Sequence, residues 1–223
     1  TMDSTTTIAW YNANASTLVS TYERLPAKQV HAWLIDLLPS PGARALDVGA
    51  GSGRDAAWLA SRGLEVIAAE PAQSMREAAL RIHANSAVHW VNDALPDLRH
   101  VLQRGISFDF ILLSAVWMHL PELHRPQAFG NLIALLKPGG TLAMSLRKGP
   151  PNENRPGMHA VSEAEVERLA KAHGAVIIRR INAPDLERSE VSWIQLAIRR
   201  ADANALMASS GGGDSATPTG TID

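Results

Sequence analysis

Leu46-Asp47-Val48-Gly49-Ala50-Gly51-Ser52-Gly53-Arg54-Asp55 is the stretch on which the rest of the chain is read. Ala45 to Val48 is a short, mainly apolar run, three glycines follow at alternate positions, and a helical pattern continues through Arg62 to Gly63 at the C′ position. A strand, a Gly-rich loop and a helix in that order bring backbone to where a ligand can approach closely. The dinucleotide fingerprint G-x-G-x-x-G requires glycine where this chain has Arg54, and a P-loop requires Lys and Ser or Thr where it has Arg54 and Asp55. The loop therefore argues against a nicotinamide dinucleotide and a nucleoside triphosphate. Asp47 sets a carboxylate beside the loop, which suits a ligand bearing positive charge, such as a sulfonium compound with an amino-acid ammonium.

Strand and helix patterns alternate downstream. Leu64 to Glu70, Ala87 to Val91, Phe108 to Ala115 and Thr141 to Arg147 read as strands; Gln73 to His83, Leu95 to Arg104 and roughly Gln127 to Leu136 read as helices. Lys137-Pro138-Gly139-Gly140 predicts a tight turn, and Lys148 to Val161 a polar loop. Ser162 and Glu165 have the spacing of a capping box opening a helix that ends at Gly174, and two strands close the pattern, Ala175 to Ile181 and Val191 to Ile198. Upstream, Ile8 to Leu38 is helical in pattern, its second half carrying Val30, Trp33, Leu34, Leu37 and Leu38 on one face and stopping at Pro39. Parallel crossovers need covering helices, so the expected fold is α/β, a doubly wound, mostly parallel sheet with helices on both faces. Residues 1–200 are read as one domain with 8–38 as a helical cover, and 201–223, rich in Gly, Ser and Thr, as a disordered tail.

On these motifs the chain resembles the class I S-adenosylmethionine-dependent methyltransferases, over about residues 8 to 200. The resemblance implies a seven-stranded sheet whose last strand is antiparallel and inserts beside the fifth, a place that suits Glu190 to Arg199. It implies S-adenosylmethionine as cofactor and S-adenosylhomocysteine as product. Asp47, Gly49, Ala50, Gly51 and Gly53 look like the loop around the methionine part. Glu70, 23 positions after Asp47, looks like the acceptor of both ribose hydroxyls, with Pro71 beside it. Asp93 and Ala94 look like the adenine-binding pair, and Ser114 begins the segment that faces the methionine end. Leu135 to Leu142 resembles the family's turn into the fifth strand. Gly53-Arg54-Asp55-Ala56 with Trp58-Leu59-Ala60 is loosely similar to small-molecule, detoxification-type members, including tellurite-resistance enzymes.

Further candidates have two readings each. Met75 suits a sulfur lying on adenine or an ordinary core position. Trp10 and Tyr11, read as preceding the first helix, suit a lid over cofactor and substrate or an anchor to the core. His119 is the candidate general base, and its neighbours Leu120-Pro121 equally suit a packed histidine. Trp117, Arg147, Arg155 and His159 are candidates for the substrate side; Arg155 and His159 suit a solvated loop as well. A sulfonium methyl is already electrophilic, so no nucleophile on the protein is required, only alignment and exclusion of water.

Composition narrows the partners. At 46% apolar and 19% charged residues the chain is globular in balance, and a formal charge of -1 with scattered Lys and Arg disfavours nucleic acid. The aromatic motif that base methyltransferases carry after the fourth strand is replaced by Ser114-Ala115-Val116-Trp117. Absent cysteines exclude thiolate sites, no spacing suggests a metal, and no apolar stretch suggests a membrane span. The expectation is a cytoplasmic enzyme methylating a small molecule. The alternatives are a protein methyltransferase, a non-catalytic S-adenosylmethionine sensor, and a nicotinamide-dependent oxidoreductase.

Overall fold

A computed structural model describes residues 4–202; the tail expected from 201 lies, beyond residue 202, outside the described residues. Strands β1 (Arg44–Val48), β2 (Glu65–Ala69), β3 (Val88–Val91), β4 (Phe108–Leu113), β5 (Leu136–Lys148), β6 (Ala175–Pro184) and β7 (Ser192–Arg200) form one seven-stranded sheet in the order β3-β2-β1-β4-β5-β7-β6. β1 to β5 are parallel; β7 runs antiparallel between β5 and β6. The order reverses at β1, whose neighbours are β2 and β4, so a crevice opens at the carboxyl ends of those three strands.

The sheet is covered on both faces by α1 (Ser4–Glu23), α2 (Ala27–Val30), α3 (Arg54–Ser61), α4 (Gln73–Ile82), α5 (Arg99–Gln103), α6 (Arg125–Leu135) and α7 (Glu163–Ala172). Successive side chains of a strand point to opposite faces. Accordingly Ile111 and Leu113 join Phe129, Leu132 and Val166 on one side, while Phe110 and Leu112 join Leu34, Ala56 and Leu59 on the other. A third cluster binds α1 to α4: Ala15, Leu18 and Val19 pack on Ala72, Met75 and Ala78.

Four departures from the sequence pattern have physical causes. Trp10 and Tyr11 lie within α1, whose polar first turn, Ser4 to Thr7, gave no apolar periodicity to mark its start. The second helical stretch is split into α2 and a 3₁₀ segment, Ala32–Leu37; the Trp33 carbonyl accepts from Arg179 Nη1 at 2.7 Å, and Arg179 also grips Asp36 through both its Nη atoms. The expected helix from Leu95 shrinks to five residues because Asp93 caps it late, its Oδ2 accepting the Val101 N–H at 2.9 Å. Lys137 to Gly140 does turn, as a bulge inside β5: Leu136 pairs with Phe108 and Thr141 already with Phe110.

The Ser162 hydroxyl takes the Glu165 N–H at 3.2 Å as the capping box requires. The Glu165 carboxylate instead meets Arg125, which is almost wholly buried. Arg125 also donates to the carbonyls of Leu120 and Ala160 and lies over the Trp117 ring, so one guanidinium ties α6 and α7 to the loops that precede each of them. Among the described residues no helix is long and apolar enough to cross a membrane.

Candidate functional site

A cavity of about 860 Å³ opens at the strand carboxyl ends, within the range of about 300–1,000 Å³ usual for small-molecule sites. One wall is the Gly-rich loop. Gly49 has φ +70, and a Cβ there would meet Val116 at 2.6 Å, so the loop needs a residue without a side chain at that point. Gly53 is tight for another reason: a Cβ would stand 2.8 Å from the Trp90 ring, so this glycine serves helix-to-strand packing. Arg54, where a dinucleotide loop would have glycine, reaches Tyr22 O and Leu25 O at 3.0 and 3.2 Å and satisfies carbonyls at the end of α1.

Glu70 follows β2 on the same wall and is 6% exposed. Its Oε2 accepts the Gly51 N–H at 2.9 Å and its Oε1 the Ala72 N–H at 3.0 Å. Burial pushes this carboxyl up, against the two N–H groups and Arg76. Each oxygen keeps lone-pair capacity for a further donor, so the carboxylate is fixed in orientation and still able to accept two hydroxyls. The Ser74 N–H in the first turn of α4 donates to Asn12 Oδ1 at 2.9 Å, so α1 supplies a cap that Ala72 cannot.

Asp47 lies under the loop and does not line the cavity. It is 2% exposed, its Oδ2 has no partner, and burial pushes its carboxyl up, with Asp55 and Glu70 adding and Arg54 opposing. For Asp55 burial is outweighed: His31, whose Nε2 is 3.0 Å away, and Arg54 at 2.8 Å hold its carboxyl well below the usual range. Asp93 also stays off the cavity wall, with one oxygen on the Val101 N–H and the other on Ala94 N–H at 3.0 Å. Ala94, Pro71, Ala50, Gly51 and Ser114 do line it; Gly53 and Met75 do not. Met75 is fully buried between α1 and α4, a core position. Ala115, next to Ser114, has φ +57, a strained value for a residue with a side chain, and is held by a bond from its N–H to Ser145 Oγ at 2.8 Å.

The opposite wall gathers Tyr11, His119, Arg147 and Arg155. His119 Nδ1 faces the Gly157 carbonyl at 3.0 Å and must carry the proton there, so Nε2 accepts from the Tyr11 hydroxyl, also at 3.0 Å. Burial pushes the imidazole down to about 4, with Arg155, His159 and Arg147 adding against the Gly157 carbonyl. His119 is therefore neutral at pH 7, and its lone pair is engaged by a phenol whose own pKa is raised, chiefly by burial. Arg155 lies over Trp10 and Tyr11 at 5.3 and 5.7 Å. Trp117 is buried against Phe129 and Arg125, and neither it, Trp10 nor His159 lines the cavity.

Thr7, Tyr22, Arg188 and Trp193 line the cavity although no motif marks them. The signal for the last two was the antiparallel strand: β7 starts where β5 ends, pairing Trp193 with Arg147, so the hairpin before β7 reaches the same rim. α1 and the loop after β5 form the roof, and they meet so closely that a Cβ on Gly157 would stand 2.5 Å from Thr7 Oγ1. Among the described residues no group of three or more His, Asp or Glu side chains is placed to hold a metal ion.

Residues 45–140 match the family described as a methyltransferase domain. The chain is 37% identical over 130 residues to the biotin biosynthesis bifunctional protein BioHC of Cellvibrio japonicus, covering 56% of this chain and 25% of that protein. It is 34% identical over 108 residues to the methyltransferase GfsG of Streptomyces halstedii, covering 48% of this chain and 38% of that one. The chain thus spans well under half the length of these two relatives. The fold is similar to the Burkholderia thailandensis 1,6-didemethyltoxoflavin-N1-methyltransferase solved with 1,6-didemethyltoxoflavin and S-adenosylhomocysteine, at TM-score 0.66 and 22% identity, over 84% of this chain and 87% of that one.

Proposed function

We propose that this chain, whose residues 45–140 form a methyltransferase domain on the class I, Rossmann-like fold, transfers a methyl group from S-adenosylmethionine to a small molecule. The observation that carries the reading is Glu70, a buried carboxylate on the cavity wall whose two oxygens are aimed by the Gly51 and Ala72 N–H groups. That arrangement fits a ribose diol. The unpartnered Asp47 oxygen beneath the loop fits the charge of an amino-acid ammonium, through water or after a small shift of the loop. Gly49, Ala50 and Gly51 offer close backbone approach, Pro71 flanks the ribose, and Ala94 faces the adenine edge with Asp93 fixing its loop.

When bound, S-adenosylmethionine supplies a methyl group already activated by its sulfonium. The chain's own part is alignment and exclusion of water. Ser114 and Ala115 wall the methionine end, the latter held in a fixed, strained shape. Tyr11 and His119 stand at the acceptor end as a neutral hydrogen-bonded pair, His119 accepting and Gly157 setting its tautomer. Such a pair orients an acceptor and takes up a proton only from a group that has become strongly acidic on methylation. The roof favours a small acceptor: α1 and the loop after β5 close over the wall that carries Tyr11, His119 and Arg155, leaving room for a small molecule rather than a folded protein.

Parallel calorimetric titrations with S-adenosylmethionine, S-adenosylhomocysteine and NAD test the donor site, followed by an assay of S-adenosylhomocysteine release over a panel of small acceptors. Selective micromolar binding of the first two, abolished by Glu70→Ala, is the expected result. Binding of NAD alone would sink the reading, and tight binding without turnover on any acceptor would point to a sensor.

A further inference from the structure

Three guanidiniums, Arg147, Arg155 and Arg188, line one end of the cavity. Their surroundings differ. Arg188 is paired with Asp185, at 2.7 Å from Nη2 to Oδ2, and Asp185 also accepts from Trp193 Nε1 at 2.9 Å. Arg147 and Arg155 form no ion pair among the described residues, and the Nε of each is buried without a partner. Arg147 spends one Nη on the Pro150 carbonyl at 2.6 Å, while the Arg155 guanidinium lies 5.3 and 5.7 Å from the ring centroids of Trp10 and Tyr11. Asp185, which is paired with Arg188, and Glu190, which is exposed, are carboxylates that act on Arg147.

Two guanidiniums without an ion pair that face the same cavity offer one anion a shared site. Burial, Arg188 and Arg155 depress Arg147, against Asp185 and Glu190. Arg147 stands away from the proposed ribose site. Glu70 follows β2 and Arg147 ends β5, with β1 and β4 between them, so strand spacing alone separates the two by roughly 14 Å. The donor site, from Glu70 past the Gly-rich loop to Ser114, occupies the β2, β1 and β4 positions and leaves the β5 end to the acceptor.

Resting on the donor site proposed above, we infer that the acceptor is a small carboxylate, its anion held between Arg147 and Arg155 beside Tyr11 and His119. Planar guanidinium forks match a planar carboxylate in two hydrogen bonds, and the neutral Tyr11–His119 pair beside them adds no competing charge. The carboxylate end is thereby fixed and the rest of the molecule is directed along the cavity toward Ser114.

The test uses protein saturated with S-adenosylhomocysteine and titrated calorimetrically with acetate, malonate, benzoate and salicylate, each against its amide, and with inorganic phosphate. At least one carboxylate is expected to bind tenfold or more tightly than its amide. Arg147→Gln and Arg155→Gln are each expected to weaken that carboxylate at least tenfold while leaving affinity for S-adenosylhomocysteine within twofold; Arg155→Lys restores part of the loss. Phosphate outcompeting every carboxylate, or no carboxylate exceeding its amide, overturns the inference. So does a tenfold loss of S-adenosylhomocysteine affinity in the arginine variants, which would assign these side chains to the donor's own carboxylate. Failure of the wild-type protein to bind S-adenosylhomocysteine at all would instead remove the donor site, an outcome read before any carboxylate is added.

Discussion

One carboxylate at position 70 both shapes the Gly-rich loop and faces the cavity, so its removal has two separable effects. Glu70→Gln keeps the shape and one acceptor oxygen but loses the charge; at about 1.5–3 kcal/mol for each charge-assisted hydrogen bond, S-adenosylmethionine affinity should fall roughly 10- to 100-fold. Calorimetry checks this, and unchanged affinity would remove the ribose role. His119 makes a prediction in pH. Its folded pKa, about 4, lies below the unfolded 6.5, so between those values the unfolded chain binds more protons and stability falls as pH falls. The loss attributable to this group is at most about 3 kcal/mol. Urea unfolding of wild type and His119→Asn at pH 7 and pH 4.5 tests it: the variant should lose less, and equal losses would contradict a buried neutral imidazole. Glu70 and the loop were legible because their spacing is local to one βαβ unit. Arg125 was not, since Glu165 and Ala160 reach it from 40 and 35 positions away, and Arg188 and Trp193 were not, since they reach the cavity only through the pairing of β7 with β5. Asp93, read as an adenine ligand by resemblance, accepts one backbone N–H on each oxygen and stands off the cavity wall, which no spacing could reveal.

At the scale of elements, α4 depends on α1 for its cap. Asn12→Ala should therefore cost about 1 kcal/mol, the usual worth of an N-cap, although Asn12 is sixty-two positions from the Ser74 N–H it serves. Thermal denaturation without ligand measures it. Gly157→Ala acts on the roof: φ is +71 and the new Cβ would crowd Thr7, so the loop and α1 must separate or strain. Amide exchange over Thr5 to Tyr11 should speed up about tenfold, with exchange in β1 and β4 unchanged; uniform exchange in both proteins would show that the loop does not brace the helix. Elements of strong period, β1, β2, β4 and α4, fall where the sequence puts them to within a residue or two. The 3₁₀ segment at Ala32–Leu37 and the bulge in β5 do not, because Arg179 and the β4 register decide them from outside the local pattern.

Over the whole molecule, the order β3-β2-β1-β4-β5-β7-β6 follows from alternating strands and helices together with the antiparallel last strand. Alternation gives the parallel half from physics alone; the position of β7 came through family resemblance. A ligand that binds only the folded state stabilises all of it: S-adenosylhomocysteine at one hundred times its Kd should add about 2.7 kcal/mol, or roughly 5–10 °C in Tm. Scanning calorimetry with and without ligand measures this, and no shift would mean that the cavity does not hold it.

The first helix has a consequence in time. It is fastened along its length to α4 and, past its end, to Arg54, while Thr7 and Tyr11 near its N-terminus also line the cavity. For the proposed methyl transfer an ordered sequence is expected: the donor enters first, the acceptor second, and spent donor departs last. Steady-state inhibition by S-adenosylhomocysteine should be competitive toward S-adenosylmethionine and noncompetitive toward the acceptor, and slower solvents, by viscosity, should lower kcat before they touch the chemistry.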